Sequence, residues 1–225
     1  MSTTVSNATG AVTWVDSVNG VNATAVRGSF TARFKTISAA ITASTSGDVI
    51  EVFPGTYNET LTMSSGVSVI GTDSKNCIIS RTPSGSETSI TMAGGLNFSN
   101  FTINLQPSAG TTIGISFTGT SNATSTLKNI KIIANPTGTG VVNLIVDAGT
   151  GVADPHNSIM AANCQFDTLP TAANFGTGYI KNGSGTSVLW DSIIDGHTST
   201  GVGANISAGT AYFFGCELSG ATGFI

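Results

Sequence analysis

LKNIKI, residues 127–132, sets an asparagine ahead of alternating isoleucines, and the same pattern returns throughout the chain. Upstream stand SKNCII (74–79) and FSNFTI (98–103); downstream stand AANCQF (161–166), LWDSII (189–194) and FFGCEL (213–218). The third position is Asn76, Asn100, Asn129, Asn163, Asp191 or Gly215. These residue types tolerate a left-handed backbone at a turn. The fourth position is Cys77, Phe101, Ile130, Cys164, Ser192 or Cys216, and two residues on come Ile79, Ile103, Ile132, Phe166, Ile194 and Leu218. That spacing is strand alternation with one face buried.

A second set of turns follows at GTTI (110–113), GTGV (138–141), GTGY (176–179), STGV (199–202) and ATGF (221–224), each leading into an apolar strand residue. Their recurrence marks them as structural turns, not phosphate-binding loops. Successive turn residues of the first set lie 24, 29, 34, 28 and 24 positions apart. A period of that size with variable loops is the signature of a solenoid, in which each coil buries its apolar face only by stacking on its neighbours. Short strands, β-branched residues and no helical periodicity predict a parallel β-helix, an all-β fold. The expected leucine spacing of a leucine-rich repeat is absent.

The alignment accounts for the cysteines. Cys77, Cys164 and Cys216 fall in one inward position, which reads as small apolar filling of an internal ladder. Their odd number and wide spacing argue against a disulfide framework, and no CxxC or histidine pair suggests zinc.

Composition fits such a fold and excludes several functions. Charged residues make up 9% of the 225, against roughly 25% in typical soluble domains, and there are 28 glycines. A net charge of −4 with 8 Lys plus Arg provides no basic face for nucleic acid. No window approaches the ~20 apolar residues of a membrane span, and the first residues, MSTTVSNATG, lack the basic and apolar regions of an export signal. No cofactor is indicated. Eight N-x-S/T sequons, from Asn7 to Asn205, carry little weight in a chain so rich in these residues.

Before the repeats, Phe34, Ile37, Ala40 and Ile41 are spaced for one helical face, with Ser29 or Thr31 as the expected N-cap and Gly47 ending the segment. The chain therefore divides into an N-terminal arm (1–28), a capping helix (29–46) and a parallel β-helix (47–225). The helix serves as a lid on the apolar cross-section that a solenoid exposes at its end.

The runs FKTISAAI, GDVIEVFPGTYNETL and GVSVIGTD resemble the opening of pectin-lyase-like right-handed parallel β-helices, pectinesterase-like ones especially. The longer segment WVDSVNGVNATAVRGSFTARFKTISAAI is similar to the lead-in of β-helix proteins of phages and large DNA viruses. The resemblance covers roughly residues 12–80 and implies the fold far more than an activity. A pectinesterase would carry DFIFG-like and RPW-like segments, and neither is found. A calcium-dependent pectate lyase would need an arginine base among outward carboxylates, and no arginine follows Arg81. FDTL (166–169) and IDGH (194–197) approach the paired aspartates and GHG segment of polygalacturonase-like enzymes only in part.

The candidate site residues lie on LWDSIIDGH. Asp191 takes the turn position. Trp190 and Phe214 are expected to point outward as neighbouring aromatics, suited to stacking on sugar rings or to a subunit interface. Asp195 and its counterpart Asp167 fall on adjacent coils, about 4.8 Å apart, with Gln165, Glu217 and His197 nearby. His156 reads as loop. From the resemblance, the expected function is a non-enzymatic structural or adhesive virion or surface protein, binding glycans and self-associating as a homotrimer because the chain stops at ATGFI without a cap. The alternative is a polysaccharide-active hydrolase or lyase built on Asp167, Asp195 and His197.

Overall fold

A computed structural model describes residues 10–118, 124–148, 159–168, 176–184, 186–195, 202–219 and 222–224. The chain opens with β1 (Val12–Val15) and α1 (Ile37–Ala43). The coils then run β2 (Val49–Val52), β3 (Gly55–Tyr57) and β4 (Leu61–Met63); β5 (Ser68–Gly71), β6 (Cys77–Arg81) and β7 (Glu87–Met92); β8 (Asn97–Leu105) and β9 (Thr111–Phe117). They continue as β10 (Ser125–Ala134) and β11 (Val141–Asp147); β12 (Ile159–Ala162), β13 (Gln165–Thr168) and β14 (Thr177–Lys181); β15 (Thr186–Trp190), β16 (Ile193–Asp195) and β17 (Val202–Ile206); β18 (Thr210–Phe214), β19 (Glu217–Ser219) and β20 (Thr222–Phe224).

All pairings between these strands are parallel, and they join into one 13-stranded and one 7-stranded sheet. The protein is a right-handed parallel β-helix with a short N-terminal helix. Its central ladder follows the repeat: Phe101 pairs with Ile130, and Ile103, Ile132 and Phe166 lie on successive rungs. Cys77, Phe101, Ile130, Cys164 and Ser192 are all buried, as are Ile79, Ile103, Ile132, Phe166 and Ile194. Burying each large aliphatic or aromatic side chain contributes about 1.5–3 kcal/mol. Each coil supplies strands to both sheets, and stacking of coils encloses the interior between them.

Five of the six turn residues adopt the left-handed backbone: Asn100 (φ 63°), Asn129 (52°), Asn163 (52°), Asp191 (46°) and Gly215 (62°). The amide of Asn129 donates to Asn100 Oδ1, and that of Asn100 to the Gly71 carbonyl, both at 3.0 Å, so the side chains themselves stack from coil to coil. Asn76 departs from the pattern. Its turn is instead organised by Asp73, whose carbonyl accepts from Cys77 N at 2.8 Å and whose carboxylate accepts from Lys75 N at 2.8 Å.

The second set of turns is not in common register. Ile145, Tyr179, Ala204 and Phe224 occupy one line of rungs, whereas Val141 pairs with Thr111 and Val202 pairs with Thr177. The GTTI and GTGV tetrapeptides share turn chemistry, and Gly110 and Gly138 are left-handed. Because strand alternation has period two, the same turn can precede the core position by different numbers of residues.

At the N-terminal end, α1 buries Ile37, Ala40 and Ile41, the face its spacing predicts. Its N-cap is Thr36, not Ser29 or Thr31. The reason is upstream: Phe34 bonds to Trp14 and bridges to Val15 in parallel, which holds residue 34 in extended backbone. Glu59 reinforces the cap, accepting from Ile37 N at 2.8 Å and Ser38 N at 2.9 Å, a carboxylate on the positive end of the helix. The N-terminal arm also contributes to the solenoid, since β1 pairs with β2 from Val12↔Val49 to Val15↔Val52. At the other end, Ala211, Phe213, Cys216 and Leu218 occupy inward positions yet are only partly buried.

Two buried aspartates tie the arm down. Asp16 accepts from Val18 N (2.9 Å), Asn19 N (3.0 Å) and Arg33 Nη1 (3.0 Å). Burial pushes its carboxyl up, but the bonds from Asn19, Val18 and Arg33 outweigh that and lower it from 3.8 to about 2. The Arg27 guanidinium likewise holds Asp48 well below the carboxylate range, against the opposing effect of burial.

Two outcomes follow. Ile132→Ala lowers stability by about 2–5 kcal/mol in denaturant titration, and Leu218→Ala, at a residue only partly buried, costs less than half as much. A carboxyl whose folded pKa is depressed stabilises the protein above its unfolded pKa and loses that contribution as pH falls through the folded one. Melting temperature therefore drops as pH falls from about 4 to about 2, and Asp16→Asn, less stable at neutral pH, shows a flatter profile over the same window.

Candidate functional site

Each coil from β8 onward turns a corner at the left-handed residue, and the outward side chains on either side of that corner form two lines along the solenoid. One line runs Ser99, Lys128, Ala162, Trp190, Phe214. The other runs Thr102, Lys131, Gln165, Ile193, Glu217. Ser99 is the exception in the first line, being buried.

Trp190 and Phe214 are register partners, with ring centroids 6.3 Å apart and planes inclined by 20°. Phe214 also lies 6.3 Å from Tyr212, two residues earlier on the same strand, with planes inclined by 16°. One displacement runs along the solenoid and the other along the strand. Ring surface stays open to solvent: Phe214 is 52% and Tyr212 51% exposed, while Trp190 is half-buried. Tyr212 was not singled out by the repeat, although its i, i+2 relation to Phe214 signals the same face.

Across the corner, Ile194 is buried while Ile193 is exposed and Asp195 half-buried, so Asp195 points outward as its alternation implies. Its carboxylate accepts from Ser219 Oγ at 2.6 Å, its register partner on the next coil. Glu217 pairs with Ile193, two residues from Asp195's register position on the same adjacent coil. Asp167 follows Phe166, which pairs with Ile194; continuing that register sets the backbones of Asp167 and Asp195 on adjacent rungs. His197 and His156 lie outside the described residues. Asp191 is a turn residue, with its backbone N–H bonded to the Phe214 carbonyl at 2.9 Å.

Toward the N-terminal coils the same face holds a shallow groove of about 420 Å³ lined by Ser74, Lys75, Thr102, Asn129, Lys131 and Gln165. Sequence reading passed over it because its two lysines come from segments 56 residues apart, Lys75 and Lys131. Among the described residues, no group of three or more His, Cys, Asp or Glu is placed to hold a metal ion, and no helix is long and apolar enough to cross a membrane.

No protein-family model matches the chain, and no curated protein sequence matches it. Solved structures similar in fold include the pectin methylesterase from carrot, at 14% identity over 98% of this chain and 87% of that one, with a TM-score of 0.43. A pectin methylesterase from Erwinia chrysanthemi is similar at 13% identity over 96% and 92%, with a TM-score of 0.40. A pectin methylesterase in complex with a hexasaccharide matches at 13% identity over 82% and 79%, with a TM-score of 0.39. These neighbours are enzymes, and they correct the expectation of a non-enzymatic structural or adhesive virion or surface protein.

The cysteines act as core filling. Burial pushes the Cys164 thiol up to about 11, and Cys77 is fully enclosed, whereas Cys216 is partly exposed at the open end. A thiolate-specific reagent applied to the native protein therefore labels Cys216 first; Cys77 and Cys164 react only on unfolding, as peptide mapping after timed labelling will read out.

Proposed function

We propose that the chain is a polysaccharide-active hydrolase that holds its substrate along the outward face of the coils. The observation that supports this reading is the pair of solvent-facing features flanking the corner at Asp191: the aromatic rings of Trp190, Phe214 and Tyr212 on one side of it and the outward carboxylate of Asp195 on the other. Aromatic faces bind the apolar faces of sugar rings, and rings supplied by neighbouring coils offer successive contacts to a polymer.

In this reading Asp195 and Asp167 are the acid–base or nucleophile pair. Adjacent rungs lie about 4.8 Å apart, close to the ~5–5.5 Å separation of the carboxyls in retaining glycosidases. Ser219 Oγ, donating to Asp195, orients that carboxylate. The groove beside Lys75 and Lys131 adds positive charge farther along the same path, which favours sugars bearing acid groups. The absence of DFIFG-like and RPW-like segments, and of any arginine beyond Arg81, speaks for hydrolysis of the glycosidic bond over ester cleavage or arginine-based elimination.

The test is turnover of a panel of acidic and neutral polysaccharides, read as new reducing ends. Asp195→Asn should lower kcat by at least about 100-fold, with circular dichroism unchanged. Trp190→Ala should raise KM about tenfold or more with a smaller effect on kcat. Activity unaffected by Asp195→Asn removes that residue from the chemistry, and absence of turnover on the whole panel overturns the hydrolase reading.

A further inference from the structure

One inward line of the solenoid breaks its own pattern. Met92, Phe117, Asp147, Lys181 and Ile206 occupy successive rungs, so that an aspartate and a lysine are register partners inside an otherwise apolar column. Both side chains are fully buried, and Lys181 Nζ lies 3.2 Å from Asp147 Oδ2. The same oxygen accepts from the Tyr179 hydroxyl at 3.3 Å and from the Ser187 hydroxyl. Tyr179 and Ser187 are buried too. Burial, reinforced by Asp147, keeps the Tyr179 phenol well above its usual range, so it remains a donor. Isolated charges in such a setting face a large desolvation cost that the pair's attraction offsets only in part. A neutral amide in the same position carries no such cost.

We propose that Lys181 and Asp147 are the partners of an intramolecular isopeptide bond linking β11 to β14. The reaction balances without any further reagent. A proton passes from the ammonium to the carboxylate, giving an amine and a carboxylic acid in contact. The Nζ lone pair bonds to Cγ, the Cγ–OH bond breaks, and one water departs with that hydroxyl and one amine proton. The proton is taken up on Oδ1, which is the oxygen that leaves, and negative charge gathers on Oδ2 as the tetrahedral intermediate forms, where the Tyr179 and Ser187 hydroxyls donate. Strand register holds the reacting atoms together, so the step is intramolecular and no encounter is needed. The enclosed interior disfavours the return of water.

The experiment is intact-mass spectrometry of the full chain after denaturation, followed by peptide mapping. The bond makes the protein one water lighter than its sequence and yields a branched peptide joining Lys181 to Asp147. Lys181→Arg, which keeps the charge but does not condense, restores the full mass, and Tyr179→Phe slows the appearance of the lighter species after synthesis. A wild-type protein wholly at its sequence mass overturns the proposal, whatever the variants do. So does a water loss that maps to any pair other than these two. Neither result bears on the hydrolase reading, which is tested by turnover on the opposite, outward face.

Discussion

Everything in this molecule depends on coils stacking in register so that one line of side chains stays inside. The inward residues Phe101, Ile130, Cys164 and Ser192 line the interior between the two sheets, each with the rungs above and below it as neighbours. A corner in the same place on each coil is what keeps that line straight. The left-handed backbone at Asn100, Asn129, Asn163, Asp191 and Gly215 provides it. Such a conformation is strained for most residues and tolerable for asparagine, aspartate and glycine, which is why the position is so restricted in type. The same corner splits the outward face into two lines and thereby sets which side of it carries Trp190 and Phe214 and which carries Asp195.

The ends of the stack are solved unequally. The first coils are covered by α1, whose N-terminus is held by Thr36 and Glu59, and by an arm fixed through Asp16 and Asp48. The last coil leaves Phe213, Cys216 and Leu218 partly open. The aromatic side chains Tyr212 and Phe214 lie on the coil that carries these partly buried residues, and Trp190 lies on the coil before it.

The β-helix was legible in the sequence because a period-two core pattern attached to a turn residue repeats with its chemistry intact. Inward burial, the left-handed corner and the helix face could all be read from residue types at fixed offsets. What could not be read was register between coils. LWDSII and FFGCEL align without gaps, but GTGV and GTGY do not, since loops of different length precede the same rung. Asn76 looked like its five counterparts and differs because Asp73, three residues earlier, organises its turn instead. On the outward face the aromatic pair was foreseen and Tyr212 was not. Asp195 faces outward as alternation implies, and the hydrogen bond it accepts from Ser219 on the next coil has no signal in the sequence. The buried Asp147 and Lys181 pair was invisible for a plain reason: a charged residue in a strand reads as outward until register puts it inside.

The most direct measurement of the stacking account is native-state hydrogen exchange resolved by residue. The amides of Phe101, Ile130 and Cys164 should exchange together as the slowest set, with protection declining steadily toward β18 and β19. Protection at Phe213 and Leu218 equal to that at Ile130, or independent exchange of adjacent rungs such as Ile103 and Ile132, would contradict it.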